Sequence, residues 1–123
     1  MTHTYGLTLQ LVDDAALIER YKEHHRRVWP EVTARLREVG ITEMRIYLLG
    51  RRLFMYVEAG DRFDPARDFA RINEDPRSRE WDVLMRTMQE RVPEAAEGEW
   101  WATMEPVFDL SLEPASGGRV VED

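Results

Sequence analysis

The sequence predicts a single α+β domain in which an antiparallel sheet carries its helices on one face. Its 123 residues are too few for two full domains. Their composition, 43% hydrophobic and 33% charged, is typical of a protein with one compact core. Apolar patterns typical of strands and of helices follow one another in the order strand, broken helix, strand, strand, broken helix, strand. That order is the split βαβ unit of ferredoxin-like folds.

The first strand and the first broken helix occupy the N-terminal third of the chain. Apolar and polar side chains alternate over Tyr5–Val12, which predicts a strand. Asp13–Asp14 offers helix N-caps, and apolar residues at helical spacing predict a helix that runs to about Val28. Because proline lacks a backbone donor and suits a first helical turn, Pro30 predicts a break and a second helical piece, which Gly40 ends.

The centre of the chain predicts a hairpin followed by another broken helix. Two β-rich runs, Ile41–Leu49 and Arg52–Ala59, flank a turn signal at Gly50–Arg51. Pro65 then suits the first turn of a helical piece. Asp75–Pro76 breaks that piece and opens the next helix.

The last helix and the last strand complete the predicted unit. The helix opened at Pro76 carries the clearest amphipathic stripe, and Pro93 is expected to stop it. Residues 100–110 predict the final strand. We expect the domain to span residues 1–110 and the polar residues 111–123 to form a flexible tail. The stripe comprises Trp81, Leu84, Met85, Met88 and Val92.

The sheet of a split βαβ unit has one face without helices. A bare apolar face needs either a ligand or a partner. A homodimer packed through the two sheets is the simplest cover, so we expect a homodimer.

Charge and composition exclude several classes of partner and site. The chain has 17 Lys and Arg against 24 Asp and Glu, a net charge of −7, which argues against nucleic acid or anionic lipid as the main partner. It has no cysteine, so thiolate zinc sites, Fe–S clusters and disulfides are excluded. The three histidines and the carboxylates form no ligand pattern, so we expect no metal. Without a signal peptide or a long apolar segment, we expect a cytoplasmic protein that does not enter a membrane.

Tyr21 and His25 form the best acid–base pair in the sequence. Helical spacing puts them one turn apart, with about 5–6 Å between their Cβ atoms, so a phenol and an imidazole can converge on one small molecule. An imidazole both gives and takes protons near neutral pH. The alternative is structural, with Tyr21 in the core and His25 half-exposed on its helix. Trp29 and Trp81 offer flat apolar walls for a sugar, or ordinary core packing.

The segment Tyr21–Glu31 resembles the motif Y-x-x-x-H-x-x-x-W-P-E of the L-rhamnose mutarotase family. Met44–Leu48 and Leu53–Glu58 resemble the central hairpin of that family. The resemblance continues through Trp81 and residues 104–110, and it therefore covers nearly the whole predicted domain.

The resemblance implies both a fold and an activity. The family has a dimeric α/β-barrel type of ferredoxin-like fold and interconverts the α and β anomers of a 6-deoxy sugar without metal or cofactor. By the same resemblance, His25 is the acid–base residue and Tyr21 contacts the substrate. The expected partner is a monosaccharide.

Two positions depart from the rhamnose-type pattern of the family. Met44 stands where that pattern has a tyrosine, and Glu80 followed by Trp81 stands where it has two tryptophans. Met44 together with Trp81 looks more like the members associated with L-fucose. A thioether in place of a phenol removes one hydrogen bond to a sugar hydroxyl, which changes specificity between epimers. We expect Met44, Glu80, Trp81 and Trp29 to bind the substrate.

The sequence therefore favours a mutarotase of L-rhamnose or L-fucose that works by general acid–base ring opening and closure. His25 is the main acid–base group, and Tyr21 orients it or relays a proton to the anomeric oxygen. A rival interpretation is a cofactor-independent monooxygenase of the dimeric α/β-barrel type, which shares the topology. A third is a non-catalytic ligand-binding module, in which His25 is dispensable.

Overall fold

The computed structural model describes residues 2–112, which form five strands and four helices. No helix in this range is long and apolar enough to cross a membrane. The predicted tail at 111–123 lies outside the described residues from position 113 onward. In chain order the elements are β1 (His3–Leu11), α1 (Ala15–His25), α2 (Pro30–Glu38), β2 (Ile41–Leu49), β3 (Arg52–Ala59), α3 (Pro65–Ile72), α4 (Pro76–Arg86), β4 (Gln89–Glu90), β5 (Ala102–Thr103) and a 3₁₀ turn (Leu110–Leu112).

The strands form one antiparallel sheet with β1 and β3 at its centre. The order is β2-β3-β1-β4, and β5 also pairs with β1. In the central ladder Leu9 lies opposite Leu53, and Ile46 of β2 lies opposite Met55 of β3. This order confirms the predicted split βαβ topology.

The sheet has one covered face and one open face. Alternate residues of the central strands point toward the helices, and Leu9, Leu11 and Leu53 expose 1% of their surface or less. The opposite face carries Tyr47 and Phe54, whose rings stack with centroids 6.2 Å apart. These two rings remain 56% and 38% exposed. The described chain therefore has the face without helices that the topology predicts, and an exposed aromatic pair lies on it.

Aspartates and prolines begin the helices as predicted. Asp14 accepts hydrogen bonds from two backbone N–H groups at the start of α1. Asp64 and Asp75 cap α3 and α4, and a proline follows each of them in the first turn. These side chains satisfy N–H groups that have no partner within the helix. Helix α2 has no side-chain cap and begins directly with Pro30.

Helix α1 ends at His25, so the prediction that it runs to Val28 is wrong. The next two backbone N–H groups bond to carbonyls three residues back, which tightens the last turn into 3₁₀ geometry. Trp29 is extended, with φ −59° and ψ 133°, because a following proline disfavours helical backbone. The chain must leave the helix early enough to reach this conformation before Pro30.

Helix α4 ends at Arg86, so the prediction that it continues to Pro93 is wrong. Gln89–Glu90 instead pairs with the end of β1, and the Met88 carbonyl accepts the backbone N–H that follows β1 at 2.9 Å. Met88 and Val92 are buried although they lie outside the helix. The apolar spacing of Met88 and Val92 therefore indicated that these side chains are buried, and it did not indicate a helix. Gln89–Glu90 forms a strand because the backbone polar groups at the end of β1 need partners.

Of the strand predicted at 100–110, only the third and fourth residues form a strand, so the rest of that prediction is wrong. Within this segment only Ala102–Thr103 pairs with β1 as a strand, and residues 104–109 have no regular structure. Pro106 has no N–H with which to continue the ladder. The chain leaves the sheet there, and Val107 is 93% exposed.

Candidate active site

A cleft of about 1250 Å³ lies between the helices and the covered face of the sheet. Its floor is apolar and includes Leu7, Ile46 and Met55. Polar side chains enter this cleft from α1, from β4 and from the segment before β5. An apolar cleft with a few converging polar groups is the usual form of a small-molecule site.

Tyr21 and His25 lie one helical turn apart on α1, and both line the cleft. Their ring centroids are 4.3 Å apart, with the planes tilted by 40°. Tyr21 is 4% exposed, and His25 is half-buried. The structure therefore brings the predicted acid–base pair together at one wall of the cleft.

The backbone of α1 sets the protonation pattern of His25. Its Nδ1 lies 2.8 Å from the carbonyl oxygen of Tyr21. A carbonyl only accepts, so this contact assigns the proton of the neutral ring to Nδ1 and leaves Nε2 as a base. Burial lowers the pKa of His25 below its ordinary value of 6.5, although the hydrogen bond to Tyr21 opposes the shift. The imidazole is thus neutral at neutral pH.

The hydroxyl of Tyr21 remains protonated at neutral pH. Burial raises the pKa of Tyr21 to about 12, and a hydrogen bond from Gln89 only partly offsets this effect. The Gln89 amide nitrogen lies 3.2 Å from the Tyr21 oxygen. The cleft therefore presents a basic imidazole nitrogen and a protonated phenol side by side.

Trp81 lines the cleft beside His25, and Trp29 supports it from outside the cleft. The rings of Trp81 and His25 meet edge to face with centroids 5.5 Å apart, and those of Trp81 and Trp29 are 5.2 Å apart. The Arg77 guanidinium lies 4.0 Å above the centre of the Trp29 ring. This stack fixes the plane of Trp81 against the imidazole.

Met44 and Glu80, two further residues expected to bind substrate, occupy different surroundings. Met44 on β2 is half-buried and lines the cleft. Glu80 on α4 is exposed, accepts a hydrogen bond from Arg77 at 2.9 Å, and is not among the residues that line the cleft. The geometry supports a pocket role for Met44 and gives Glu80 a surface ion pair.

Sequence reasoning misses Gln89 and Trp100, although both line the cleft. Gln89 falls within the helix expected from Pro76 to Pro93, where nothing distinguishes it from a surface amide. The early end of α4 and the pairing of Gln89 with β1 bring its side chain to Tyr21. Trp100 is separated from Gln89 by an irregular segment. The sequence of such a segment does not predict which side chains it brings together.

Other polar clusters of the described residues serve the fold. Between residues 2 and 112, no three His, Asp or Glu side chains form a metal-ligating group, and the expectation of no metal stays a prediction. A smaller cleft of about 390 Å³ is lined by Arg67, Arg71 and Asp68 among others. Both arginines already bind the Asp68 carboxylate, which is 1% exposed. The cleft beside Tyr21 is therefore the candidate site.

Comparison with known proteins finds close relatives of this chain. The family model described as L-rhamnose mutarotase matches residues 4–110. A UPF0734 protein of Dictyostelium discoideum is 48% identical over 111 residues, which are 87% of this chain and 89% of the relative. The L-fucose mutarotase of Xanthomonas campestris is 45% identical over 105 residues, 84% of each chain.

Two solved structures share the fold. L-rhamnose mutarotase from Formosa agariphila is similar with a TM-score of 0.65 and 20% identity, over 88% of this chain and 98% of the other. Tetracenomycin F2 cyclase from Streptomyces glaucescens, a type-II polyketide cyclase, has a TM-score of 0.60 and 14% identity, over 87% and 95%. At these identities the likeness shows the fold alone, which is the predicted dimeric α/β-barrel type.

The family follows from the sequence matches, which are far stronger than the structural ones. The family model spans nearly all of the described residues, and a mutarotase is 45% identical to this chain over 84% of both lengths. The chain belongs to the L-rhamnose mutarotase family, and it is therefore an isomerase-class enzyme, a sugar mutarotase.

Proposed function

We propose that the protein interconverts the α and β anomers of a 6-deoxy-L-hexose, with L-fucose as the preferred substrate over L-rhamnose. The observation that carries this proposal is the pairing of Tyr21 with His25 in the cleft, with Nδ1 of His25 bonded to the Tyr21 carbonyl. Mutarotation requires one proton to be delivered to the ring oxygen and another to be removed from the anomeric hydroxyl. A protonated phenol beside a neutral imidazole supplies both groups.

In the proposed reaction, Nε2 of His25 takes the proton of the anomeric hydroxyl while the Tyr21 phenol gives its proton to the ring oxygen. The bond between the anomeric carbon and the ring oxygen breaks, and its electron pair leaves with the oxygen. The resulting aldehyde rotates, and the same oxygen attacks its other face. Tyr21 then recovers its proton from that oxygen, and His25 returns its proton to the new anomeric hydroxyl. No bond to the enzyme is needed.

The opposite pKa shifts of the two residues support these roles. Burial lowers the pKa of His25, so the group that accepts a proton is free to do so at neutral pH. Burial raises the pKa of Tyr21 to about 12, so the donor holds its proton until the ring oxygen develops negative charge. Groups whose surroundings separate their pKa values in this way are typical of acid–base pairs.

The pocket walls and one relative support the choice of L-fucose. Met44 lines the cleft where the rhamnose-type pattern has a tyrosine, and the relative at 45% identity is named an L-fucose mutarotase. Trp81 presents a flat apolar surface beside His25, and such a surface suits the C–H face and the methyl group of a 6-deoxy sugar.

We also propose that a second copy of the chain covers the open face of the sheet. Phe54 lies flat on this face, since a Cβ added to Gly6 would lie 3.1 Å from a Phe54 ring carbon. Tyr47 stacks on Phe54 and is 56% exposed. Two such faces can pack against each other about a two-fold axis and remove these rings from water.

Saturation transfer between the two anomeric proton resonances tests the function. L-fucose, L-rhamnose and D-glucose would be compared with and without the protein. We expect faster exchange for L-fucose than for L-rhamnose and little effect on D-glucose, which belongs to the D series and carries a hydroxyl on C6.

His25→Ala is the decisive variant, and His3→Ala is its matched control because His3 lies at the start of β1 beside Asp61. We expect the His25 variant to lose about 10²–10⁴-fold in exchange rate, the usual contribution of a positioned acid–base group. No acceleration of either 6-deoxy sugar by the folded wild-type protein would reject the proposed substrates. An active His25→Ala variant would reject the proposed base.

A further inference from the structure

Gln89 is a buried amide that connects two elements of the cleft. It is 6% exposed and lies in β4, opposite Leu11 of β1. Its amide oxygen accepts a hydrogen bond from the indole N–H of Trp100 at 2.9 Å. Its amide nitrogen donates to the hydroxyl oxygen of Tyr21 at 3.2 Å.

The chemistry of these groups fixes the direction of the whole chain of hydrogen bonds. An indole N–H only donates, so the group that faces Trp100 must be the amide oxygen of Gln89. The NH₂ group of the same amide then faces Tyr21, and it also only donates. The phenol oxygen must therefore accept from Gln89, which leaves its own proton to point elsewhere. Tyr21 lines the cleft, where a bound sugar can supply an acceptor for that proton.

We propose that Gln89, oriented by Trp100, is a positioning residue that fixes the Tyr21 hydroxyl as a donor toward the ring oxygen of the sugar. This inference rests on the proposed function. A free phenol rotates its proton among several directions and also accepts hydrogen bonds from substrate hydroxyls. The Gln89 amide removes that ambiguity before substrate arrives, and preorganised donors of this kind lower barriers without reorganisation during the reaction.

Trp100 is itself held in place, which the orienting role requires. The Arg86 guanidinium lies 4.6 Å above the centre of the Trp100 ring. The half-buried indole also packs against the core cluster that contains Leu9 and Leu11. The donor that orients Gln89 is therefore anchored both by a cation–π contact and by apolar packing.

Tyrosine labelled with ¹³C at Cζ gives a readout that does not depend on activity. The chain has four tyrosines, and the Tyr21 resonance is the one missing from Tyr21→Phe. In Gln89→Leu the phenol loses its donor, and the Tyr21 resonance is expected to move. In Gln89→Glu an ionised carboxylate accepts a hydrogen bond from the phenol, so the resonance is expected to move further, toward the position of a phenolate.

Exchange kinetics of the same variants test the positioning role. We expect kcat to fall roughly tenfold in Gln89→Leu, about the value of one hydrogen bond, with little change in KM. Gln89→Glu is expected to lose more, because the phenol then donates its hydrogen bond to the carboxylate and not to the sugar. Trp100→Phe keeps a ring but frees the amide to flip, and it is expected to lie between Gln89→Leu and the wild type.

Gln10→Leu is the matched control. Gln10 also lies in the sheet and donates to Glu90 at 3.0 Å, but it does not line the cleft. The inference is overturned if the Tyr21 resonance stays in place in both Gln89 variants, or if their kcat falls no further than that of Gln10→Leu. If the resonance moves as expected but the wild-type protein accelerates no sugar, the orientation of the Tyr21 hydroxyl by Gln89 is confirmed and the proposed mutarotase reaction is rejected.

Discussion

The carbonyl oxygen of Tyr21 lies 2.8 Å from Nδ1 of His25, so one residue of the pair sets the tautomer of the other through its backbone. His25 follows Tyr21 by four residues within α1, so the carbonyl that accepts the helical N–H of His25 also accepts its Nδ1–H through the second lone pair. The regular spacing of the helix therefore sets the orientation of the imidazole.

The first prediction concerns pH. Because burial lowers the pKa of His25 below 6.5, the base form persists to a lower pH than in a free imidazole. We expect the rate of anomer exchange to be level through neutral pH and to fall with an apparent pKa below 6.5. The pH profile of kcat/KM measures this, after subtraction of the acid-catalysed background. An acid limb centred above 6.5 would contradict the assignment of Nε2 as the base.

The same shift makes stability depend on pH. The unfolded chain binds a proton at His25 more readily than the folded chain does, so stability falls as the pH drops from 6.5 through the lower folded pKa. Chemical unfolding at neutral and acidic pH in the wild type and in His25→Leu measures the effect. The variant is expected to lose less stability over this interval.

The second prediction concerns the phenol of Tyr21. Tyr21→Phe removes the proposed proton donor and leaves the Gln89 amide nitrogen without its partner. We expect kcat to fall about 10²-fold or more and stability to fall by about 1–3 kcal/mol, the cost of an unpaired buried polar group. Exchange kinetics and thermal unfolding measure the two effects. Tyr5→Phe is the control, since Tyr5 packs on Phe63; equal losses in both variants would exclude a specific role for the Tyr21 hydroxyl.

The third prediction concerns specificity. Met44→Tyr restores the phenol of the rhamnose-type pattern at a position that lines the cleft. We expect the ratio of kcat/KM for L-rhamnose over L-fucose to rise roughly tenfold, about the value of one hydrogen bond. Met44→Phe separates the ring from its hydroxyl. If both variants shift the ratio equally, the volume of the side chain decides and the hydrogen bond does not.

The fourth prediction concerns a carboxylate away from the site. Asp68 is 1% exposed and accepts from Arg67, Arg71 and the backbone N–H of Asp64. Hydrogen bonds from Arg67, from that backbone N–H and from Arg71 hold the pKa of Asp68 well below its usual range. Because the folded pKa is depressed, the stability it contributes is present at neutral pH and is lost as the pH falls through the folded pKa.

Asp68→Asn is accordingly expected to lower the unfolding temperature at neutral pH while the exchange rate stays near the wild-type value. Glu19→Gln, an exposed carboxylate paired with Lys22, is the matched change and is expected to have little effect. An Asp68→Asn protein as stable as Glu19→Gln would show that the buried network contributes nothing to the fold.

The fifth prediction concerns assembly. Phe54→Glu places a charge at the centre of the open sheet face, opposite its symmetry mate in the proposed dimer. We expect the wild type to sediment as a dimer and this variant to sediment as a monomer, because two buried like charges repel without compensation. The exposed Val83 on α4 provides the control variant Val83→Glu. A wild-type protein that sediments as a monomer would reject the proposed dimer.

The sequence predicts the regular elements well where a single residue enforces the backbone. Pro30, Pro65 and Pro76 lie at helix starts because proline suits only that position. The hairpin at Gly50 is confirmed because that residue has φ 61°, which glycine adopts without strain. The backbone conformation at these positions depends on the residue itself and its neighbours in the sequence, so the sequence alone predicts it.

The predictions that fail are those that depend on distant parts of the chain. Helix α4 ends at Arg86 and Gln89 pairs with the end of β1. The spacing of apolar residues within 76–93 contains no information about this pairing. The same holds for the site, where the helical pair Tyr21 and His25 is visible in the sequence and their partners Gln89 and Trp100 are not. Topology alone left the monooxygenase interpretation open, and the family match decides between the two classes.

Strand β4 has two residues, and one of them is the amide that holds the Tyr21 hydroxyl. Short strands at a sheet edge are the first part of a sheet to fray, at a free energy far below that of global unfolding. Fraying of β4 would separate Gln89 from Leu11 and release the phenol. We therefore expect the alignment of the Tyr21 hydroxyl to be lost on heating before the core built on Leu9 and Leu53 unfolds.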